Sequence, residues 1–252
     1  MEFFTTLTNL SGTEMMILAV ITFVAGLVRG FSGFAQSATV MACAATILPP
    51  IELIPICWVL ELVSSALLVR GGWKDADKRV ITALFIGSAI GTPIGIYLTT
   101  SLDVTTSTMI ALVLVCTLAT LQLAKIQMPF LATKPGLYGT GLTAGIVTGL
   151  ASIGGMVVAL YVLAQQKPAR IMRASLILFL FLGSITSLVT YLAFGVMDET
   201  AAYRGLIFIL PTVAGVLIGT RSFTPSLEKY YKPFCLTLLV GLASLGLARL
   251  AM

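Results

Sequence analysis

The sequence predicts an all-α polytopic membrane protein made of two inverted repeats, each a broken-helix hairpin followed by three transmembrane helices. Three observations point there. Hydrophobic residues make up 58% of the 252 positions and charged ones only 10%, where soluble domains carry about 25% charged residues. Apolar runs recur along the whole chain, and several are long enough to cross a bilayer. Two glycine-rich joints interrupt those runs at matching places in the two halves. The mean hydropathy of +1.05 excludes an ordinary soluble domain and a disordered chain alike. Histidine is absent, which excludes a Ser-His-Asp hydrolase, a histidine-ligated haem and a His-rich metal site. Cys43, Cys57, Cys116 and Cys235 lie within apolar runs and form no C-x-x-C pair, so they read as reduced, buried small residues. No catalytic residue, metal or cofactor is expected.

The chain opens without a basic segment ahead of its first apolar run, so that run is expected to stay rather than to act as a signal peptide. Hydropathy then divides residues 1–252, one transmembrane domain, into runs at 15–28, 37–48, 51–69, 80–98, 107–123, 137–148, 156–164, 175–194, 206–219 and 234–247. A span needs roughly 20 apolar residues. The runs at 51–69, 80–98 and 175–194 meet that length, and 107–123, 206–219 and 234–247 do so with short extensions. The other four are too short and come as two pairs, each pair split by a joint. The joints read Gly-Phe-Ser-Gly-Phe-Ala-Gln at 30–36 and Gly-Leu-Ala-Ser-Ile-Gly-Gly at 149–155. Gly26 and Gly30 match Gly145 and Gly149, and Gly91-x-x-x-Gly95 matches Gly215-x-x-x-Gly219. The repeats therefore run over 14–123 and 136–250.

Charge sets the orientation, because cytoplasmic loops carry the excess of Lys and Arg. Arg70, Lys74, Lys78, Arg79, Lys125, Lys134, Lys167, Arg170, Arg173, Arg221, Lys229 and Lys232 fall in one set of loops. Glu2, Glu14, Asp103, Asp198 and Glu199 fall in the other, with Arg204 and Arg249 as exceptions. That bias also accounts for the net charge of +5 without nucleic acid. The N-terminus is then outside, and Lys134 and Lys167 share the inner side. The chain between them leaves and returns, as two thin spans or one re-entrant hairpin. Repeats entering from opposite sides are a layout of secondary transporters, whose interrupted helices meet near the bilayer midplane.

Arg29 is the basic residue left within an apolar stretch, and a re-entrant hairpin would hold it near mid-depth. An ionised side chain there costs about 2.5–3.5 kcal/mol on the insertion scale. It reads either as a structural cation paired to a carboxylate or as a forked donor for an oxyanion. The joints suit an anion as well. Where a helix restarts, its first N–H groups lack internal partners and carry partial positive charge, and glycine lets a ligand approach that backbone. Arg29, Ser32, Gly33, Phe34, Gln36, Ser37, Ser152, Gly154 and Gly155 are the candidate substrate contacts. Glu61, in the middle of its span, is either the partner of Arg29 or a proton-coupling site. Ser64, Ser65 and Ser184 are candidates for the same cavity, whereas Gly91, Gly95, Gly215 and Gly219 read as helix contacts.

At these joints the sequence resembles the TauE/SafE sulfite exporter family of membrane permeases. The resemblance rests on Ala25-Gly26-Leu27-Val28-Arg29-Gly30-Phe31-Ser32-Gly33-Phe34-Ala35-Gln36, on Ala144-Gly145-Ile146-Val147-Thr148-Gly149 with Gly154-Gly155, and on Lys167-Pro168-Ala169 with Arg173-Ala174. Ala35-Gln36 departs from the denser glycine run that members often carry there. The resemblance implies a secondary transporter of the inner cell membrane, moving small sulfur oxyanions or organosulfonates such as sulfite or sulfoacetate. The expected partners are a small anionic substrate, membrane lipid and a coupling proton. A passive anion channel and an uptake permease for small carboxylates are the alternatives.

Overall fold

The computed structural model describes residues 7–69, 76–126, 128–165, 169–222 and 225–251. Every regular element among them is helical. In chain order they are α1 (Gly12–Ser32), α2 (Gln36–Ala44), α3 (Pro50–Val69), α4 (Lys78–Ser101) and α5 (Val104–Leu123). A 3-10 turn at Pro129–Ala132 leads to α6 (Lys134–Ala151), α7 (Gly154–Ala164), α8 (Ala169–Ala193), α9 (Glu199–Ile207), α10 (Ile209–Arg221) and α11 (Pro225–Ala251). Helices α1, α3, α4, α5 and the Arg173–Ala193 part of α8 are long and apolar enough to cross a membrane. Helices α9 and α10 meet at a 41° bend and together make a sixth candidate span. This is a multi-pass membrane protein.

Helix α1 is longer than its hydropathy suggests. Ser11 caps its start: the Ser11 hydroxyl accepts the Glu14 N–H at 3.2 Å, and the Glu14 carboxylate takes the Ser11 N–H at 2.8 Å. At the other end the helix runs on through Arg29 and Gly30 for 21 residues in all. Arg29 therefore lies in the last turn of a 21-residue helix, not in a short limb. Hydropathy falls at Arg29, but the backbone ladder does not end there, because Glu61 neutralises the charge within the protein.

The short helices form the centre. All of α2 except Cys43 is buried, as are Met156, Val158, Tyr161 and Val162 of α7. A helix that is apolar all round belongs inside. The long helices turn Met16, Val20, Ile90, Val113, Val189 and Leu210 outward, as lipid contact requires.

Glycine sets the tightest contacts. Gly26 and Gly30 of α1 press on the backbone of Thr212 and Val216 in α10, and Gly215 and Gly219 press back on Phe23 and Leu27. In the same manner Gly91 and Gly95 of α4 meet Leu142 and Ile146 of α6, and Gly145 and Gly149 meet Ser88 and Ile96. A Cβ at any of these eight positions would enter the partner's backbone, as expected of small-residue membrane seams. Hydroxyls cross both seams, Thr99 Oγ1 donating to the Gly149 carbonyl at 2.9 Å and Thr220 Oγ1 to that of Gly30 at 3.4 Å. Each joint-bearing helix is thus held by a G-x-x-x-G helix of the other half.

Arg204, an exception in the charge pattern, has its charge met locally. Its guanidinium pairs with Glu52, and its Nε donates to the Thr8 carbonyl at 2.7 Å. The chain start, the head of α3 and α9 therefore meet around Arg204. Elsewhere the Asp77 N–H donates to Ser175 Oγ at 3.1 Å, joining the head of α4 to the start of α8. Arg70, Lys74 and Lys167 lie outside the described residues.

Candidate functional site

The first joint is a tight turn with its polar groups largely turned on one another. Gly33 ends α1 with φ of 81°, its N–H donating to the Arg29 carbonyl at 2.8 Å. The Ser32 hydroxyl lies 2.7 Å from both the Val28 and the Phe34 carbonyls and accepts the Phe34 N–H. Ala35, with φ of 66°, then leads into α2 without a side-chain cap. Arg29 is fully buried. Its Nη1 donates to the Gly33 carbonyl at 2.7 Å, its Nη2 to Ser65 Oγ at 2.6 Å, and Nη2 lies 3.3 Å from Glu61 Oε2. Arg173 reaches in from α8, its Nη2 donating to the Gly30 carbonyl at 2.6 Å.

Glu61 closes this network and also faces beyond it. Its Oε1 accepts the Ser37 hydroxyl at 2.9 Å and the Ser37 N–H at 3.4 Å. The first turn of α2 therefore already holds a carboxylate, supplied by the chain. Beside it the Gln36 side chain is buried, and neither amide atom finds a hydrogen-bond partner among the described residues.

The second joint is built the same way but opens onto space. Ser152 ends α6 with φ of 57°, its N–H donating to the Thr148 carbonyl at 2.8 Å. Ile153 gives α7 no side-chain cap. Gly154 and Gly155, which open α7, line a cavity of about 40 Å³, room for about three water molecules. Glu61, Ser152, Gly154, Gly155, Ser184 and Ser187 supply its polar wall, and Trp58, Phe179 and Leu180 its apolar one. Trp58 is itself fixed, its Nε1 donating to the Ser184 carbonyl at 2.7 Å. Tyr191, buried, lies on the cavity with Ser187 and Ser152.

The structure thus divides the candidate contacts. Ser152, Gly154 and Gly155 line the cavity together with Glu61. Arg29, Ser32, Gly33, Phe34, Gln36 and Ser37 belong to the first joint and are not part of that lining. Of the two sequence readings of Glu61, the ion pair with Arg29 is formed. Sequence reasoning missed Trp58, Ser187 and Tyr191. The signal was available: Ser184, Ser187 and Tyr191 recur at helical spacing within an apolar run, so they share one face. Among the described residues no group of His, Cys, Asp or Glu is placed to hold a metal ion.

Gly154 cannot carry a side chain. A Cβ there would meet the Ala144 carbonyl and Thr148 Oγ1, so α7 starts directly on the backbone of α6. Gly154→Val is expected to displace the start of α7 and abolish transport. Flux through reconstituted protein checks this; wild-type flux in the valine variant would remove the second joint from the site.

Interrupted helices with buried short limbs beside a cavity of mixed polar and apolar lining are features of membrane transport proteins. The chain matches the family model described as sulfite exporter TauE/SafE over residues 18–245. It belongs to that family, whose members are membrane anion exporters. No curated protein and no solved structure matches it.

Proposed function

We propose that this protein is a proton-coupled secondary transporter that releases small sulfur oxyanions or organosulfonates, such as sulfite or sulfoacetate, across the inner membrane. The substrate sits against the first turn of α7, beside Glu61. One observation carries the reading. Two helices restart at glycine joints without side-chain caps; α2 has its first turn filled by the Glu61 carboxylate, whereas α7 has its first turn open to a cavity. Ser184 of α8 also lines this cavity, and its side chain brings no charge. The unfilled position suits an anion from outside the chain, because unpaired N–H groups and the helix dipole favour negative charge.

The reading includes an inverted duplication over 14–123 and 136–250 with the N-terminus outside. Reciprocal packing of α1 on α10 and α4 on α6 supports the duplication, and the loop charges support the orientation.

Charge balance supplies the coupling. The site holds the Arg29–Glu61 ion pair, with the Arg173 guanidinium beside it on the Gly30 carbonyl. A substrate anion adds a second negative charge a few ångströms from Glu61, where like charges 4 Å apart repel by about 4 kcal/mol at an effective dielectric of 20. A proton on Glu61 removes that repulsion and leaves Arg29 to balance the substrate. Anion and proton therefore move together, and the anion leaves when its own outward gradient outweighs the inward proton gradient. The test is methanesulfonate efflux from proteoliposomes with a pH-sensitive dye inside, because sulfite itself binds and releases protons near neutral pH. Proton loss accompanying methanesulfonate is the expected result; methanesulfonate efflux without proton movement contradicts it and marks a channel.

A further inference from the structure

We infer that Gly183 sets the length of ligand the cavity accepts, an inference that rests on the reading of this cavity as the transport site. Helix α8 faces the cavity with Phe179, Leu180, Gly183, Ser184, Ser187 and Tyr191. The three glycines on the lining differ in what surrounds them. Gly154 has no room for a Cβ, and a Cβ on Gly155 would press on Leu180 Cδ2 at 3.1 Å. A Cβ on Gly183 would meet nothing within 4 Å. Gly139 and Gly241 have the same freedom, but neither lines this cavity.

The missing side chain at 183 is therefore not a packing requirement; its place belongs to the cavity. Glycine is also a poor choice inside a helix, so substitution there does not threaten the helix. A valine would put three carbon atoms into a space that holds about three water molecules. An alanine would take up one carbon's worth, about what separates one short alkyl sulfonate from the next. Discrimination by one methylene in a hydrophobic pocket amounts to about 10–200-fold.

The experiment measures efflux of radiolabelled sulfite from proteoliposomes, with methanesulfonate and propanesulfonate as inhibitors, for the wild type, Gly183→Ala and Gly183→Val. Melting temperature in detergent is followed in parallel. For Gly183→Ala the expected result is inhibition by propanesulfonate weakened at least about tenfold relative to methanesulfonate. For Gly183→Val it is loss of sulfite efflux with the melting temperature kept. Wild-type behaviour of the valine variant toward all three anions overturns the inference and leaves the transport reading standing. Equal weakening of every anion in the alanine variant overturns it as well, because a length filter must discriminate. Absence of sulfite efflux in the wild type instead removes the transport reading itself.

Discussion

Arg29→Ala is expected to destabilise the protein by about 3–5 kcal/mol, because it strands the Glu61 carboxylate in the interior. Arg29 is fully buried and its fork serves three groups at once: the Gly33 carbonyl, Ser65 and Glu61. Arg29→Lys keeps the charge but not the planar fork, so an intermediate loss of about 1–3 kcal/mol follows from the abandoned acceptors. The double variant Arg29→Ala/Glu61→Gln removes both charges and should recover most of the stability lost in Arg29→Ala. Thermal unfolding in detergent measures all three. Losses that simply add in the double variant would mean that the two residues do not act as a pair.

Glu61→Gln is expected to separate binding from coupling. The glutamine mimics the protonated acid in shape, and its carbonyl can still accept from Ser37. Binding of methanesulfonate, whose own charge is constant near neutral pH, checks the linkage. With Glu61 as the proposed proton carrier, one proton is taken up with each anion, so the expected affinity of the wild type falls as the pH rises. In Glu61→Gln that slope vanishes and the affinity stays at its low-pH level. Sulfite efflux in this variant loses its response to an imposed pH gradient. A wild-type pH slope in Glu61→Gln would assign the proton to another group.

The joints, the glycine seams and the Arg29–Glu61 pairing were legible to different degrees. Gly33 marked its own left-handed turn, since glycine adopts positive φ freely. Ser152 and Ala35 adopt the same region without any such mark, so only the neighbouring glycines located those turns. The seam glycines were readable because i, i+4 spacing in an apolar helix lays small residues along one stripe. The continuation of α1 past Arg29 was not, because hydropathy registers a charge as an end and is blind to a partner 32 positions away. The run at 206–219 shows a signal overlooked: Pro211 has no N–H to give the Ile207 carbonyl, and the bend between α9 and α10 falls just there. The cavity itself was beyond the sequence. Its walls come from α3, α4, α6, α7 and α8, and no local pattern states which of their faces converge.

The account stands on the first turn of α7 as the place where the anion binds. Selenite, a heavier analogue of sulfite, can be located by its anomalous scattering in crystals of the protein grown with it. The predicted result is one selenium peak in the cavity, within hydrogen-bonding reach of Ser152 and the N–H groups of Gly154 and Gly155, on the side that faces Glu61. A peak against Arg29, Gln36 and Ser37 at the first joint, with the α7 cavity empty, would contradict it.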